Sequence, residues 1–193
     1  LLRIVGIQVE IRGREHLPPE PVIVASKHQS AWETTMIEVL VPQSVIILKK
    51  ELIMIPLFGR LLLNAGMISI DRSKGRSVIP QMVEGAKRAR EQGRSTFIFP
   101  EGTRTPAGKR GTYRYGTYAL YHNTGMKVVP AAHHAGFFWP RRKFLKVPGK
   151  IIFEFLPPIK AGLSEKDFMK RLEDSIENAS ENLNPLKKGK QPQ

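Results

Sequence analysis

From Ile7 to Arg12 apolar and polar residues alternate, with Ile7, Val9 and Ile11 interleaved among Gln8, Glu10 and Arg12. A period of two with one wet face predicts a strand near a sheet edge. Short apolar runs rich in β-branched residues follow at Val22 to Ala25, Val45 to Leu48, Met67 to Ile70, Thr96 to Phe99, Val128 to Ala132 and Ile151 to Phe155. They predict buried strands. Between them the spacing becomes helical. Val78, Ile79, Met82, Val83, Ala86 and Ala89 recur at three and four and stop at Gly93, and Phe168, Leu172, Ile176 and Ala179 form one stripe behind the capping pair Ser164 and Asp167. Strands alternating with helices predict an α/β chain: a single layered domain over residues 1–183, with a mostly parallel mixed sheet flanked by helices. In such a sheet the loops at the carboxyl ends of the strands hold the site. Residues 184–193 are polar and basic and are expected to be a disordered tail.

Charge narrows the choice of partner. Thirty-one Lys and Arg against 17 Asp and Glu leave a formal charge of +14, which favours nucleic acid, a phosphorylated small molecule or an acidic membrane surface. There is no cysteine, so disulfides, thiolate metal sites and a cysteine nucleophile are excluded.

Candidate chemistry begins at Ser26-Lys27-His28-Gln29-Ser30-Ala31-Trp32-Glu33, directly after the Val22 strand. Positions five apart on a helix diverge by roughly 140°, so His28 and Glu33 meet only if His28 precedes the helix. Ser30 with Glu33 three residues on is a capping box, which puts Ser30 at the N-cap and turns Glu33 back toward His28. The motif has two readings at this point: a base held by a carboxylate, or a helix cap beside a loop histidine. Two other strand ends carry polar clusters, Asp71-Arg72 after the Met67 strand and Pro100-Glu101-Gly102-Thr103-Arg104 after the Thr96 strand. Together the three put a base, acidic residues and two guanidinium groups on one rim, and a guanidinium fork suits bidentate contact with phosphate. The spacing from Gly102 to Gly108-Lys109 does not fit a P-loop, and the adjacent His133 and His134 face opposite sides of a strand, so no metal is expected.

Phe99-Pro100-Glu101-Gly102-Thr103-Arg104 resembles the third signature block of the glycerolipid acyltransferases, the lysophosphatidic acid acyltransferase family. His28 to Glu33 resembles the first block, Gly66 to Arg72 the second and Val128 to Ala132 the fourth, in the family's order, and the similarity runs from about Ile7 to Pro158. Glu33 departs from the pattern, since the family usually has Asp there. The resemblance implies a glycerol-3-phosphate acyltransferase-like fold. It also implies transfer of a fatty acyl group, from acyl-CoA or acyl-carrier protein as co-substrate, to the 2-hydroxyl of 1-acyl-sn-glycerol 3-phosphate (lysophosphatidic acid), giving phosphatidic acid without a further cofactor. His28 would be the general base and Glu33 would orient it. Arg72, Arg104 and Lys49 would hold the substrate phosphate. Glu101, Gly102, Thr103 and Asp71 would support the acceptor site, Glu101 by ordering Arg104 or a glycerol hydroxyl. An acyltransferase for another lysolipid, such as a lyso-ornithine lipid, keeps the same chemistry. A basic nucleic-acid-binding module is the rival of another class, but no nucleic-acid motif accompanies the charge.

Two stretches are apolar enough to meet lipid, Leu52 to Leu63 and Phe137 to Leu145; each also reads as core or a packed loop. The second mixes Phe137, Phe138 and Trp139 with Arg141 and Arg142, the composition of a headgroup-layer contact on an anionic membrane. No run reaches the roughly 18 to 20 apolar residues of a spanning helix. The chain opens on Leu1 rather than Met, as expected of a trimmed chain. The expected location is the cytoplasmic face of a membrane, peripheral or held by an anchor upstream of Leu1.

Overall fold

Seven strands form one sheet in the order β1-β7-β6-β2-β5-β3-β4 in the computed structural model, which describes Leu2 and residues 4–188. The strands are β1 (Ile7–Arg12), β2 (Ile23–Ser26), β3 (Val45–Lys49), β4 (Ile68–Ile70), β5 (Thr96–Ile98), β6 (Val128–His133) and β7 (Gly149–Phe155). Every pairing is parallel except β6 with β7. The alternating segment β1 lies at one edge of the sheet, as its half-wet pattern predicts. The central strands are short, β-branched and buried on both faces, as parallel strands covered by helices must be.

The helices are α1 (Trp32–Leu40), α2 (Phe58–Asn64), α3 (Ile79–Glu91), α4 (Gly116–Thr124) and α5 (Glu165–Asn182). Alternation along the central strands divides the core in two. Ile23, Ala25 and Ile98 pack with Met82, Leu120 and Phe168 of α3, α4 and α5, while Val24, Phe97 and Phe99 pack with Trp32, Ile37 and Leu40 of α1 on the opposite face. Helix α5 opens as its sequence predicts, with Ser164 Oγ accepting the Asp167 N–H at 3.2 Å. Helix α1 begins one residue later than the capping box implies. Ala31 is its N-cap, but Ser30 Oγ still accepts the Trp32 N–H (3.0 Å) and Glu33 Oε1 accepts the Ser30 N–H (2.7 Å), so the reciprocal exchange survives just ahead of the first turn. Pro185–Lys188 makes a short 3-10 turn, and residues 189–193 of the basic tail lie outside the described residues.

Strand order brings the polar clusters to one rim. Ala25 of β2 is in register with Ile98 of β5, so His28 and Glu101 emerge side by side from neighbouring carboxyl ends. Strands β3 and β4 follow outward, carrying Lys49 and Arg72 to the same end of the sheet.

Candidate active site

The peptide of His28 is fixed on both sides before its ring does anything. Its N–H donates to Glu101 Oε2 at 2.7 Å, and its carbonyl accepts the Thr105 N–H at 2.8 Å. The imidazole then lies flat on Phe99, with centroids 3.9 Å apart and planes 18° apart. Nδ1 is 2.9 Å from Glu33 Oε1, which also accepts the N–H groups of Gln29 (2.8 Å) and Ser30 (2.7 Å). Burial pushes the Glu33 pKa up, the hydrogen bonds from His28 and the Ser30 N–H pull it down, and the net direction is down. Glu33 is therefore a carboxylate at neutral pH and accepts only. Nδ1 of neutral His28 must then carry the proton, and Nε2 carries the basic lone pair. Both readings open in the sequence have a counterpart in the geometry: the carboxylate meets the imidazole and also accepts the Ser30 N–H ahead of the helix.

His133 backs this pair. It is fully buried, its Nε2 lies 2.8 Å from the Lys27 carbonyl and its Nδ1 accepts the Ala135 N–H at 3.2 Å. A carbonyl only accepts, so this imidazole is neutral with Nε2–H. Burial lowers its pKa, in agreement.

His28 lines a cavity of about 810 Å³. One part of the wall is apolar, from Ile47 and Leu48 of β3, Ile70 of β4 and Ile79 and Met82 of α3; another is cationic, from Lys49, Arg72, Arg76, Arg104, Arg114 and Arg141. No carboxylate is among the lining residues. Arg72 is half-buried and its Nη1 donates to the Gly102 carbonyl. Burial lowers its pKa, yet a guanidinium so far above neutrality stays charged. The Arg104 Nε–H is buried without a partner among the described residues, and Arg141 Nη1 donates to the Arg104 carbonyl at 3.2 Å. Gly102 has φ +70, in the left-handed region, so this turn favours glycine.

The other residues singled out in the sequence fall in different places. Thr103 lines the cavity with Gly102, and Lys49 does so while paired to Glu51 at 2.8 Å. Asp71 and Glu101 do not reach the wall. Asp71 caps the turn that carries Arg72 by accepting the Ser73 N–H, and its Lys50 and Ser73 partners hold its carboxyl down at about 2. Glu101 lies buried behind His28, with Oε1 on Lys27 Nζ at 2.8 Å.

The membrane-contact expectation is overturned for Phe138, while Phe137 and Trp139 keep part of their surface exposed. Phe138 is buried, and Phe137 and Trp139 pack against the α1-side core, because these rings close that end of the sheet while the neighbouring cations turn outward. Arg141 belongs to the cavity wall, and Arg142 is exposed. Exposed apolar surface lies on both stretches, at Phe144 (95%) and Leu145 (78%) in the second and at Met54 (74%), Leu57 (83%) and Leu61 (66%) in the first. Lys27, Arg76, Arg114 and His133 are site residues that sequence reasoning missed. The +14 charge was the only signal for the two arginines, and none marked Lys27 or His133.

A base nitrogen on the wall of a cavity that is part apolar and part cationic can take a proton from a hydroxyl group on an anionic, lipid-like molecule. The Acyltransferase family model matches residues 8–134. The chain is 40% identical over 152 residues to a 1-acyl-sn-glycerol-3-phosphate acyltransferase of Pseudomonas aeruginosa, covering 78% of this chain and 59% of that protein. It is 32% identical over 178 residues to the 1-acyl-sn-glycerol-3-phosphate acyltransferase alpha of Mus musculus, covering 90% of this chain and 62% of the relative. The chain thus spans about three fifths of the length of the curated relatives it matches. The crystal structure of a 1-acyl-sn-glycerophosphate acyltransferase from Thermotoga maritima superposes with a TM-score of 0.80 at 24% identity, covering 94% of this chain and 74% of that one, and shares the fold.

Proposed function

The chain belongs to the acyltransferase family, and on that premise we propose that it transfers a fatty acyl group from an acyl thioester to the 2-hydroxyl of 1-acyl-sn-glycerol 3-phosphate, forming phosphatidic acid. The single observation that carries the proposal is the His28–Glu33 pair, 2.9 Å apart on the wall of a cavity whose charged lining residues are all cations. The thioester donor is acyl-CoA or acyl-carrier protein, and the chemistry needs no group beyond donor and acceptor.

A neutral hydroxyl is a poor nucleophile, so His28 Nε2 takes its proton as the oxygen attacks the thioester carbonyl carbon. Glu33 holds the Nδ1–H and stabilises the imidazolium that forms, the part a buried carboxylate plays in a Ser-His-Asp triad. The tetrahedral intermediate collapses, the C–O ester bond is kept and the C–S bond breaks. The imidazolium returns its proton to the departing thiolate. The substrate hydroxyl stands where an enzyme serine would, so no acyl-enzyme forms.

Arg72 and Arg104, with Lys49 at the mouth, bind the acceptor phosphate, and the unpartnered Arg104 Nε–H supports that role. The apolar wall takes an acyl chain. No helix among the described residues is long and apolar enough to cross a membrane. Contact with an anionic bilayer runs instead through Met54, Leu57 and Leu61, beside exposed Lys50 and Arg60 and next to the Leu52 and Lys49 of the cavity wall.

The test is the purified protein with a labelled acyl thioester and a panel of lysolipid acceptors, resolved by mass spectrometry. Phosphatidic acid from lysophosphatidic acid supports the proposal. Preferential labelling of a lysolipid without a phosphomonoester, such as a lyso-ornithine lipid, would replace the acceptor.

A further inference from the structure

We infer that Lys27, Glu101 and Glu177 form a buried ion triad that positions the His28 main chain, so that helix α5 sets the geometry of the base from outside the cavity. The inference rests on the reaction proposed above and goes beyond it by adding residues that touch no substrate.

Lys27 is fully buried, and its Nζ has three partners: Glu101 Oε1 at 2.8 Å, Glu177 Oε1 at 2.6 Å and the Lys109 carbonyl at 3.2 Å. An ammonium has three donors, so this one is satisfied. Glu177 takes a further hydrogen bond from the Tyr113 hydroxyl at 3.0 Å. Burial and the carboxylates of Glu177 and Glu101 push the Tyr113 pKa up, which keeps that hydroxyl a donor. Taking three charges out of water is unfavourable enough that apolar side chains would serve stability as well. The arrangement calls for another use, and Glu101 supplies it. One of its oxygens is anchored by Lys27, and the other accepts the His28 N–H at 2.7 Å.

The chain therefore runs from α5 through Glu177, Lys27 and Glu101 to the peptide of the base. Neither Lys27, Glu101 nor Glu177 lines the cavity, so these are positioning residues. Gly111 belongs to the same device, because a Cβ there would lie 2.2 Å from Glu101 Oε1 and force the carboxylate off its seat.

Amide hydrogen exchange and steady-state kinetics on the whole chain test the triad together, in Glu177→Gln and, as a second variant, Gly111→Ala. Exchange at His28 is expected to rise at least tenfold relative to Val24 of β2, which reports global opening. The kcat is expected to fall about tenfold or more, with both KM values within about twofold of wild type. His28 exchange that stays tied to Val24 in both variants, with only a lowered Tm, would overturn the inference. If the wild-type chain transfers no acyl group, the proposed reaction fails while the exchange result still decides the positioning role.

Discussion

His28 and Glu33 meet around the start of a helix, with Nδ1 and Oε1 2.9 Å apart although the residues are five positions apart in sequence. The contact works because the loop before α1 delivers the Gln29 and Ser30 N–H groups to the same oxygen, so the carboxylate is seated before the imidazole reaches it.

That seat predicts an order among Glu33 variants. Glu33→Gln preserves shape but offers a neutral amide that no longer fixes the tautomer or stabilises an imidazolium, and kcat should fall about 10²- to 10⁴-fold. Glu33→Asp keeps the charge one methylene short and should retain clearly more activity than Glu33→Gln. Equal loss in both would mean that His28 requires the full side-chain length as well as the charge.

His133 makes stability depend on pH. Its folded pKa is below the free value and it is buried neutral, so below about pH 6.5 the unfolded chain binds a proton that the folded chain refuses. Stability from this group is whole above that pH. It is lost as pH falls, at about 1.4 kcal/mol per unit until the folded pKa is reached. Glu33, lowered from 4.5, adds stability that is present above that value and lost as pH falls further. Urea midpoints between pH 8 and 5 should decline in the wild type and be flatter in His133→Gln.

Arg104→Ala should raise the KM for the phosphate-bearing acceptor about 10- to 100-fold, the loss expected for a charge-assisted hydrogen bond, and leave the donor KM within about twofold. Equal effects on both substrates would remove Arg104 from the phosphate role.

Leu57→Glu and Leu61→Glu should weaken binding to anionic vesicles about tenfold or more each, with Tm unchanged because both side chains already face water. Vesicle binding that survives both changes would move the membrane contact elsewhere, with exposed Phe144 and Leu145 the next surface to alter.

The strands and their carboxyl-end clusters were legible because β-branched runs and hydrophobic periodicity are local properties. Boundaries shifted by one or two residues, as at β2 and α1, where side-chain capping and backbone geometry divide the same turn. Helix α4 was not legible: in Gly116–Thr124 the buried Thr117, Tyr121 and Thr124 break up any apolar stripe. Lys27 was invisible for a different reason. A lysine between a serine and a histidine reads as solvated, and its burial depends on carboxylates 74 and 150 residues away. The two apolar stretches were weighed by composition, which cannot tell rings that close a core at Phe138 from side chains left outside at Leu57.

The most direct measurement is acyl transfer to lysophosphatidic acid by His28→Ala, with folding checked by Tm. Loss of the base should lower kcat by about 10²- to 10⁴-fold or more, while the phosphate acceptor still binds. Near-normal turnover by the folded variant would contradict the assignment of the base.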